Sequence, residues 1–432
     1  MASIRGRELE CPFVSQRDLQ RFRTVGRRRM ESLRRRRVGP LSTITFRQHD
    51  CRRRTKSMTQ DHYQNRSIRL LFVIDGLTVG GAQRMLLRLL PKLSHAFDVE
   101  LCSIMPKAAM SQQFEARNVV VHYLDIDHAS QVIRATRRFS RLIQHTRPDA
   151  ILSFLQKASY LGRVVGRVHR VRHHVYCVRT AYRALWKHTL LEWVTKWLVD
   201  KYVCNSYVTC HDFARSLFLP SQKVAYLPNC VTEFHPPRHP QSIRSFCTAA
   251  TLAENKDYAT LIRGFALIAE RNRDATLAIF GDGPEREKIV SLISELGISG
   301  KVRMHGAVHN LVQRLPEYDC FLFASKIEGM SNAVMEAGAL GLPIVCSDIP
   351  PNREMLADTA YYFPVGDHVA LAEAFFACQN AVERKYPYKR ILERYSLDAT
   401  VRTFIDILRT LPGIVVPEAP GAVHQRKQLS ED

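Results

Sequence analysis

Residues 70–75 (LLFVID) form an unbroken apolar run of strand length, and the loop GLTVGG at 76–81 follows it. Met85, Leu86, Leu89, Leu90 and Leu93 then recur along one face of a helix. Further apolar runs at 99–104, 119–123, 150–154, 175–178, 202–205 and 224–227 predict strands. Strands alternating with helical stretches imply βαβ units and a mostly parallel sheet. Residues 233–242 (EFHPPRHPQS) hold three prolines and no periodicity, and predict a linker. A second alternating set starts at Phe246, with strands predicted at 276–280, 302–305, 320–324 and 344–347. Helices are predicted at 285–296 and 333–340, the latter capped by Ser331 or Asn332 with Gly341 just past its end. Val401, Phe404, Ile405 and Leu408 mark a last amphipathic helix. No repeat of 20–50 residues is visible, which argues against a solenoid.

The expected fold class is therefore α/β, with two Rossmann-like domains facing across a cleft. The divisions expected are a basic N-terminal segment at 1–66, a first domain at 67–232 and a second at 233–397. A C-terminal helix at 398–411 is expected to cross back to the first domain, and 412–432 to form a loose polar tail.

Composition narrows the class. The chain has 432 residues, 46% of them hydrophobic, and a net charge of +22. That length allows two or three domains with real cores, and the ordinary charged fraction excludes wholesale disorder. No uncharged apolar run approaches the ~18 residues of a membrane span. The N-terminus lacks the apolar stretch of a secretory signal. The 11 cysteines are scattered and contain no C-x-x-C pair, which argues for a reducing cytosol and against a disulfide framework or structural zinc.

The charge is uneven. Residues 1–57 hold 17 Lys+Arg against 5 Asp+Glu, with almost no apolar periodicity. Such a segment cannot bury enough surface to offset chain entropy, so disorder is expected. It reads either as an arm for nucleic acid or anionic lipid, or as sequence upstream of a true start at Met58. Residues 134–201 carry 15 bases and 3 acids within patterned sequence. Arg134, Arg137, Arg138 and Arg141 recur at helical spacing, followed by Arg163, Arg167, Arg170 and Arg172. Trp186, Trp193 and Trp197, the only tryptophans, stand nearby. Basic and aromatic residues together on helices predict a face for an anionic membrane surface. The competing reading is a solvated basic face over core tryptophans.

Three motifs carry candidate chemistry. Lys256 follows the first strand of the second set, where an ammonium can hold a diphosphate as a point charge. Gly281 and Gly283 (G-D-G-P) close a strand and open a helix, as a tight turn or to let a ligand approach the backbone. Arg286 and Lys288 follow Pro284 where a dinucleotide fingerprint needs its third glycine. The strongest motif is SKIEGMSNAVMEAGALGLP at 325–343. Its loop presents Glu328 and Gly329, and its helix starts near Asn332 with Glu336 one turn in. The amino end of that helix offers unpaired N–H groups and a positive dipole to an anion. Taken alone, Glu336 reads equally as an exposed helix glutamate.

This last segment resembles the E-x₇-E signature of retaining GT-B glycosyltransferases of family GT4, with Glu328 and Glu336 at the two glutamate positions. Gly80 and Gly81 open GGAQR, which resembles the family's G-G-A-E-R loop. PNCV at 228–231 resembles its P-N-G-V turn, and LAENK at 252–256 its L-x-x-x-K stretch. GDGP at 281–284 and Gly366-Asp367 also match in order, so the resemblance covers about residues 68–410. Thr251 stands where the family has arginine, Cys230 where it has glycine, and Gln83 where it has glutamate.

The resemblance implies transfer of a sugar from a nucleotide-sugar donor to a glycan or lipid-linked acceptor in cell-surface polysaccharide synthesis. Glu336 would take ribose hydroxyls. Glu328, Gly329, Met330, Ser331 and Asn332 would hold the donor sugar, with Gly281, Gly283 and Thr251 bordering the donor. Lys256 would neutralise the departing diphosphate, and Gly80 and Gly81 would border it across the cleft. No cofactor, no metal and no nucleic-acid partner is implied. The expected location is cytoplasmic, peripheral on the inner face of the cell membrane. The alternatives are a GT-B nucleotide-sugar epimerase and a catalytically weak sugar-nucleotide-binding relative.

Overall fold

The computed structural model describes residues 67–179, 189–308, 310–414 and 416. The basic segment at 1–66, Trp186 and most of the tail lie outside the described residues. Two parallel sheets organise the rest. The first contains β1 (Arg69–Ile74), β2 (Asp98–Ser103), β3 (Val120–Tyr123), β4 (Ala150–Phe154), β5 (His173–Val178), β6 (Lys201–Cys204) and β7 (Val224–Tyr226), in the order β3-β2-β1-β4-β5-β6-β7. The second contains β8 (Ser245–Ala249), β9 (Thr276–Phe280), β10 (Val302–Gly306), β11 (Cys320–Phe323), β12 (Ile344–Ser347) and β13 (Tyr361–Phe363), in the order β10-β9-β8-β11-β12-β13.

The unbroken apolar runs follow from burial on both faces of these sheets. Along β1, Leu70, Phe72 and Ile74 enter one core while Leu71 and Val73 enter the opposite one. Along β11, Cys320 and Leu322 face one core, and Phe321 and Phe323 the other. The helix Leu397–Arg409 follows the second sheet in sequence but packs on the first. Its Phe404, Ile407 and Leu408 join the β1 core, with the Phe404 ring 6.0 Å from Phe72.

Strand order reverses between β1 and β4 and again between β8 and β11. Crevices at such switch points, beyond the carboxyl ends of the strands, are where open α/β sheets take ligands. Gly80 and Gly81 follow β1, Thr251 and Lys256 follow β8, and Glu328 follows β11, so the candidate residues collect there.

Several expectations change. The predicted strands are present with ends moved by a residue or two. β13 and the helices Pro350–Leu356, His368–Gln379 and Tyr388–Tyr395 were not anticipated. β13 has three residues, too few to show a period, and His368–Gln379 is apolar on almost every side. Arg163 does not belong to a solvated face. Its side chain is 0% exposed and is clamped by Glu192 at 2.9 Å. Arg167 pairs with Asp200 at 2.6 Å and Arg138 with Asp125 at 2.9 Å. Part of the positive excess is thus neutralised internally, whereas Arg134, Arg137 and Arg141 remain exposed.

Candidate active site

The site is assembled from six loops. In the second half, Lys256 ends a 3₁₀ turn (Glu254–Lys256), and Asp257 beyond it adopts a left-handed conformation (φ 40°). That turn is tied to the β11 loop, because Lys326 N–H donates to Asn255 O at 2.8 Å and Ser325 Oγ donates to the same oxygen at 3.0 Å. The lacing brings Lys256 Nζ into an ion pair with Glu328 Oε1, and Ser325 Oγ lies 3.0 Å from that oxygen. Both side chains are largely buried, at 18% and 10% exposure.

The helix Asn332–Ala339 starts directly after this loop. Ser331 caps it, its Oγ accepting from Val334 N–H. One turn apart, Asn332 and Glu336 both reach the first half of the molecule. Asn332 Oδ1 accepts from Asn229 Nδ2 at 2.8 Å. Its Nδ2 lies 2.7 Å from where a Cβ on Gly81 would stand, so a side chain there would collide. Arg88 Nη2 donates to Glu336 Oε1 at 2.7 Å, and Arg88 Nη1 to Cys230 O at 2.6 Å.

Glu336 is therefore not an exposed helix glutamate. It is 2% exposed, and its Oε2 has no hydrogen-bond partner. Gly81 and Arg88 stand on the helix Gly81–Leu93 two turns apart, as Asn332 and Glu336 stand one turn apart on theirs. The amino ends of the two helices consequently meet at Gly81 and Asn332, aiming both positive dipole ends at one place. Glu336, Arg88, Arg84, Val79, Asn310 and Leu311 border a cavity of about 670 Å³ between the two halves, within the range of small-ligand sites; Lys256, Glu328 and the Gly329–Asn332 loop are not among its lining.

Gly329 and Met330 seat against the first half. A Cβ on Gly329 would fall 3.0 Å from Asn205 Oδ1, and Met330 Sδ accepts from Asn229 N–H at 3.4 Å. Gly281 and Gly283 serve another purpose. A Cβ on Gly281 would lie 1.9 Å from Ala250 O, and one on Gly283 2.5 Å from Leu252 O. Their missing side chains let the turn press on the backbone that carries Thr251, itself exposed. Gly80 caps the helix Gly81–Leu93 in an extended conformation. No group of three or more His, Cys, Asp or Glu among the described residues could hold a metal ion.

Two family models match consecutive parts of the chain. Glycosyltransferase Family 4 matches residues 79–233, and Glycosyl transferases group 1 matches residues 233–377.

The chain is a GT4-type glycosyltransferase.

This glycosyltransferase is 25% identical over 312 residues to N-acetylgalactosamine-N,N'-diacetylbacillosaminyl-diphospho-undecaprenol 4-alpha-N-acetylgalactosaminyltransferase of Campylobacter jejuni, covering 67% of this chain and 83% of that one. It is 21% identical over 305 residues to the capsular polysaccharide biosynthesis glycosyltransferase CapH of Staphylococcus aureus, with the same two coverages. Its fold matches Anabaena HepE, solved in complex with UDP-glucose, at a TM-score of 0.70 and 16% identity over 79% of this chain and 100% of that one. No helix among the glycosyltransferase's described residues is long and apolar enough to cross a membrane.

Three polar residues at this site were not singled out from sequence: Arg88, Asn205 and Asn229. Asn229 lies within PNCV and was legible only as part of a turn. Arg88 reads as one more helix arginine, because nothing local shows that its partner is 248 residues away.

Proposed function

We propose that the glycosyltransferase moves a sugar, with retention of anomeric configuration, from a nucleotide-sugar donor to a glycan or lipid-linked acceptor in cell-surface polysaccharide synthesis. The observation that carries this reading is the unpartnered Glu336 Oε2, a buried carboxylate oxygen beside a ligand-sized cavity. A buried acceptor without a donor is costly, and a ribose hydroxyl would satisfy it. Glu328 and Gly329–Asn332 would hold the sugar. The two helix amino ends at Gly81 and Asn332, together with Lys256, would hold the diphosphate.

In the transfer, the anomeric carbon–phosphate oxygen bond breaks as the bond to the acceptor oxygen forms on the same face. The acceptor proton passes to the leaving phosphate, and negative charge grows on the diphosphate. Positive groups already fixed around it lower that barrier. The names of the Campylobacter and Staphylococcus relatives support a polysaccharide or lipid-linked acceptor, and the HepE complex supports a nucleoside diphosphate donor.

A peripheral position on an anionic membrane surface fits the first half. Exposed Arg134, Arg137 and Arg141 lie on the helix Val132–Thr146, which packs beside the helix Gln156–Val168. The turn carrying Trp197 packs on that second helix too. Trp193 and Trp197 are 45% and 62% exposed, as a wet interface favours.

The test is nucleoside diphosphate release from a panel of nucleotide sugars with a lipid-linked oligosaccharide as acceptor. Acceptor-dependent release, lost in Glu328→Ala, is expected. A panel on which the folded parent shows no release would overturn the assignment.

A further inference from the structure

Arg179, directly after β5, is a poorly satisfied cation among the described residues. Its Nη1 donates to Leu227 O at 2.8 Å and approaches Asn229 Oδ1 at 3.4 Å. Its Nε and Nη2 are sealed from solvent and have no hydrogen-bond partner among the described residues. No carboxylate pairs with it there. Its near neighbours are the Phe154 ring, 5.3 Å from the guanidinium carbon, and the thiols of Cys177, Cys204 and Cys230. Burial pushes all three thiols upward, Cys177 and Cys230 to about 11, so they stay neutral. A guanidinium does not give up its charge at ordinary pH. Burying it without a counter-ion costs more than packing an apolar side chain of that size, so the arrangement asks for a purpose.

Its position supplies one. Val178 pairs with Cys204 in the sheet register, so Arg179 and Asn205 emerge side by side at the carboxyl end of the first sheet. Asn205 Oδ1 is likewise buried without a partner, and Asn205 abuts Gly329. Asn229, beside Arg179, holds Asn332 at the amino end of the helix Asn332–Ala339. Two other cations of the site are already engaged, Lys256 by Glu328 and Arg88 by Glu336. Thr251 carries no charge.

We propose that Arg179 is an anion-binding residue that receives a diphosphate group between β5 and the Gly329–Asn332 loop, supplying the charge that Thr251 lacks. The proposal rests on the donor-site reading above. The diphosphate is either that of the nucleotide donor or that of a lipid-linked acceptor, and a planar fork with two unpaired N–H directions suits both.

The experiment measures binding of inorganic pyrophosphate, UDP and farnesyl diphosphate to the full chain by calorimetry, for the parent, Arg179→Gln and Arg179→Lys. Glutamine can keep a bond to Leu227 O while losing the charge. Pyrophosphate binding should weaken about tenfold or more in Arg179→Gln, and less in Arg179→Lys. A parallel loss for UDP assigns the donor diphosphate. A loss for farnesyl diphosphate with UDP unchanged assigns the acceptor's.

Thermal unfolding separates this from a structural role. Arg179→Met removes a buried unpaired charge, so its ligand-free melting temperature should equal or exceed the parent's, while the upward shift caused by pyrophosphate disappears. A marked drop in melting temperature with the pyrophosphate shift intact would overturn the proposal. So would equal affinities in the parent and Arg179→Gln, or a parent that binds none of the three probes. A parent that releases nucleoside diphosphate normally, with Arg179→Gln indistinguishable from it, removes this inference alone and leaves the donor-site reading standing.

Discussion

Lys256 and Glu328 neutralise each other at the mouth of the β8 and β11 loops, and their roles separate only under turnover. An ammonium that meets the diphosphate as it departs acts more strongly in the transition state than in the ground state. Lys256→Ala should therefore lower kcat by ~10²–10³ with a smaller rise in donor KM. In the proposed donor site Glu336 would meet the ribose, which does not react, so Glu336→Ala should chiefly raise donor KM. Arg88→Ala should raise it too, but far less in a Glu336→Ala background, because the arginine acts through that carboxylate. Thr251→Arg should keep or raise activity and soften the Lys256→Ala defect. Nucleoside diphosphate release with donor titration reads all of these. Lys256→Ala turning over like the parent would place the leaving group elsewhere. Gly281→Ala tests the turn itself. Its Cβ would stand 1.9 Å from Ala250 O at a φ of 143°, so the fold should lose about 2 kcal/mol or more, seen as a lower melting temperature.

At the level of elements, contact between the halves is not confined to the donor site. Glu354, on the helix Pro350–Leu356, accepts from Tyr207 N–H at 2.8 Å, at the amino end of the helix Tyr207–Ser216. Burial, the largest influence, lifts its carboxyl from the ordinary range to about 7 in spite of that bond. The folded chain thus prefers the protonated form more than the unfolded chain does. The resulting stabilisation is full below about pH 4.5 and is lost as pH rises through 7. Glu354→Gln removes that loss while keeping an acceptor for Tyr207. It should melt higher than the parent at pH 8, by the equivalent of up to about 3 kcal/mol, and the two curves should converge toward pH 4.5. A parent more stable than Glu354→Gln at pH 8 would count against this account.

Across the whole molecule, charge is sorted by burial. Arg163 is consumed by Glu192 beneath the surface and half-buried Arg167 by Asp200, while Arg134, Arg137 and Arg141 stay in water. An anionic membrane should attract the second group, each contributing on the order of 1 kcal/mol and screened by salt. Chain starting at residue 58 should co-sediment with phosphatidylserine-containing vesicles at low salt and leave them at high salt. The triple change Arg134→Glu, Arg137→Glu and Arg141→Glu should abolish this without altering melting temperature. Equal sedimentation with neutral vesicles would remove electrostatics as the cause.

Local chemistry determined much of this protein in one dimension. Apolar runs buried on both sheet faces are strands wherever they fall, so β1, β4, β9 and β12 could be read directly from the chain. Ser331 before an apolar helix, and glycines where a turn presses on backbone, carry their own reasons. The motif order and the E-x₇-E spacing also pointed to the class of enzyme. Tertiary structure alone decided which charges survive. Whether an arginine is solvated, paired or left buried depends on partners far away in sequence, as Arg88 with Glu336 and Arg163 with Glu192 illustrate. Without the motif, Glu336 reads as a surface glutamate, because a single helix cannot show what lies across a cleft. Arg179 was one base among the 15 of residues 134–201, and only the packing of β5 against β6, with the Pro228 turn beyond, left it without a counter-charge among the described residues.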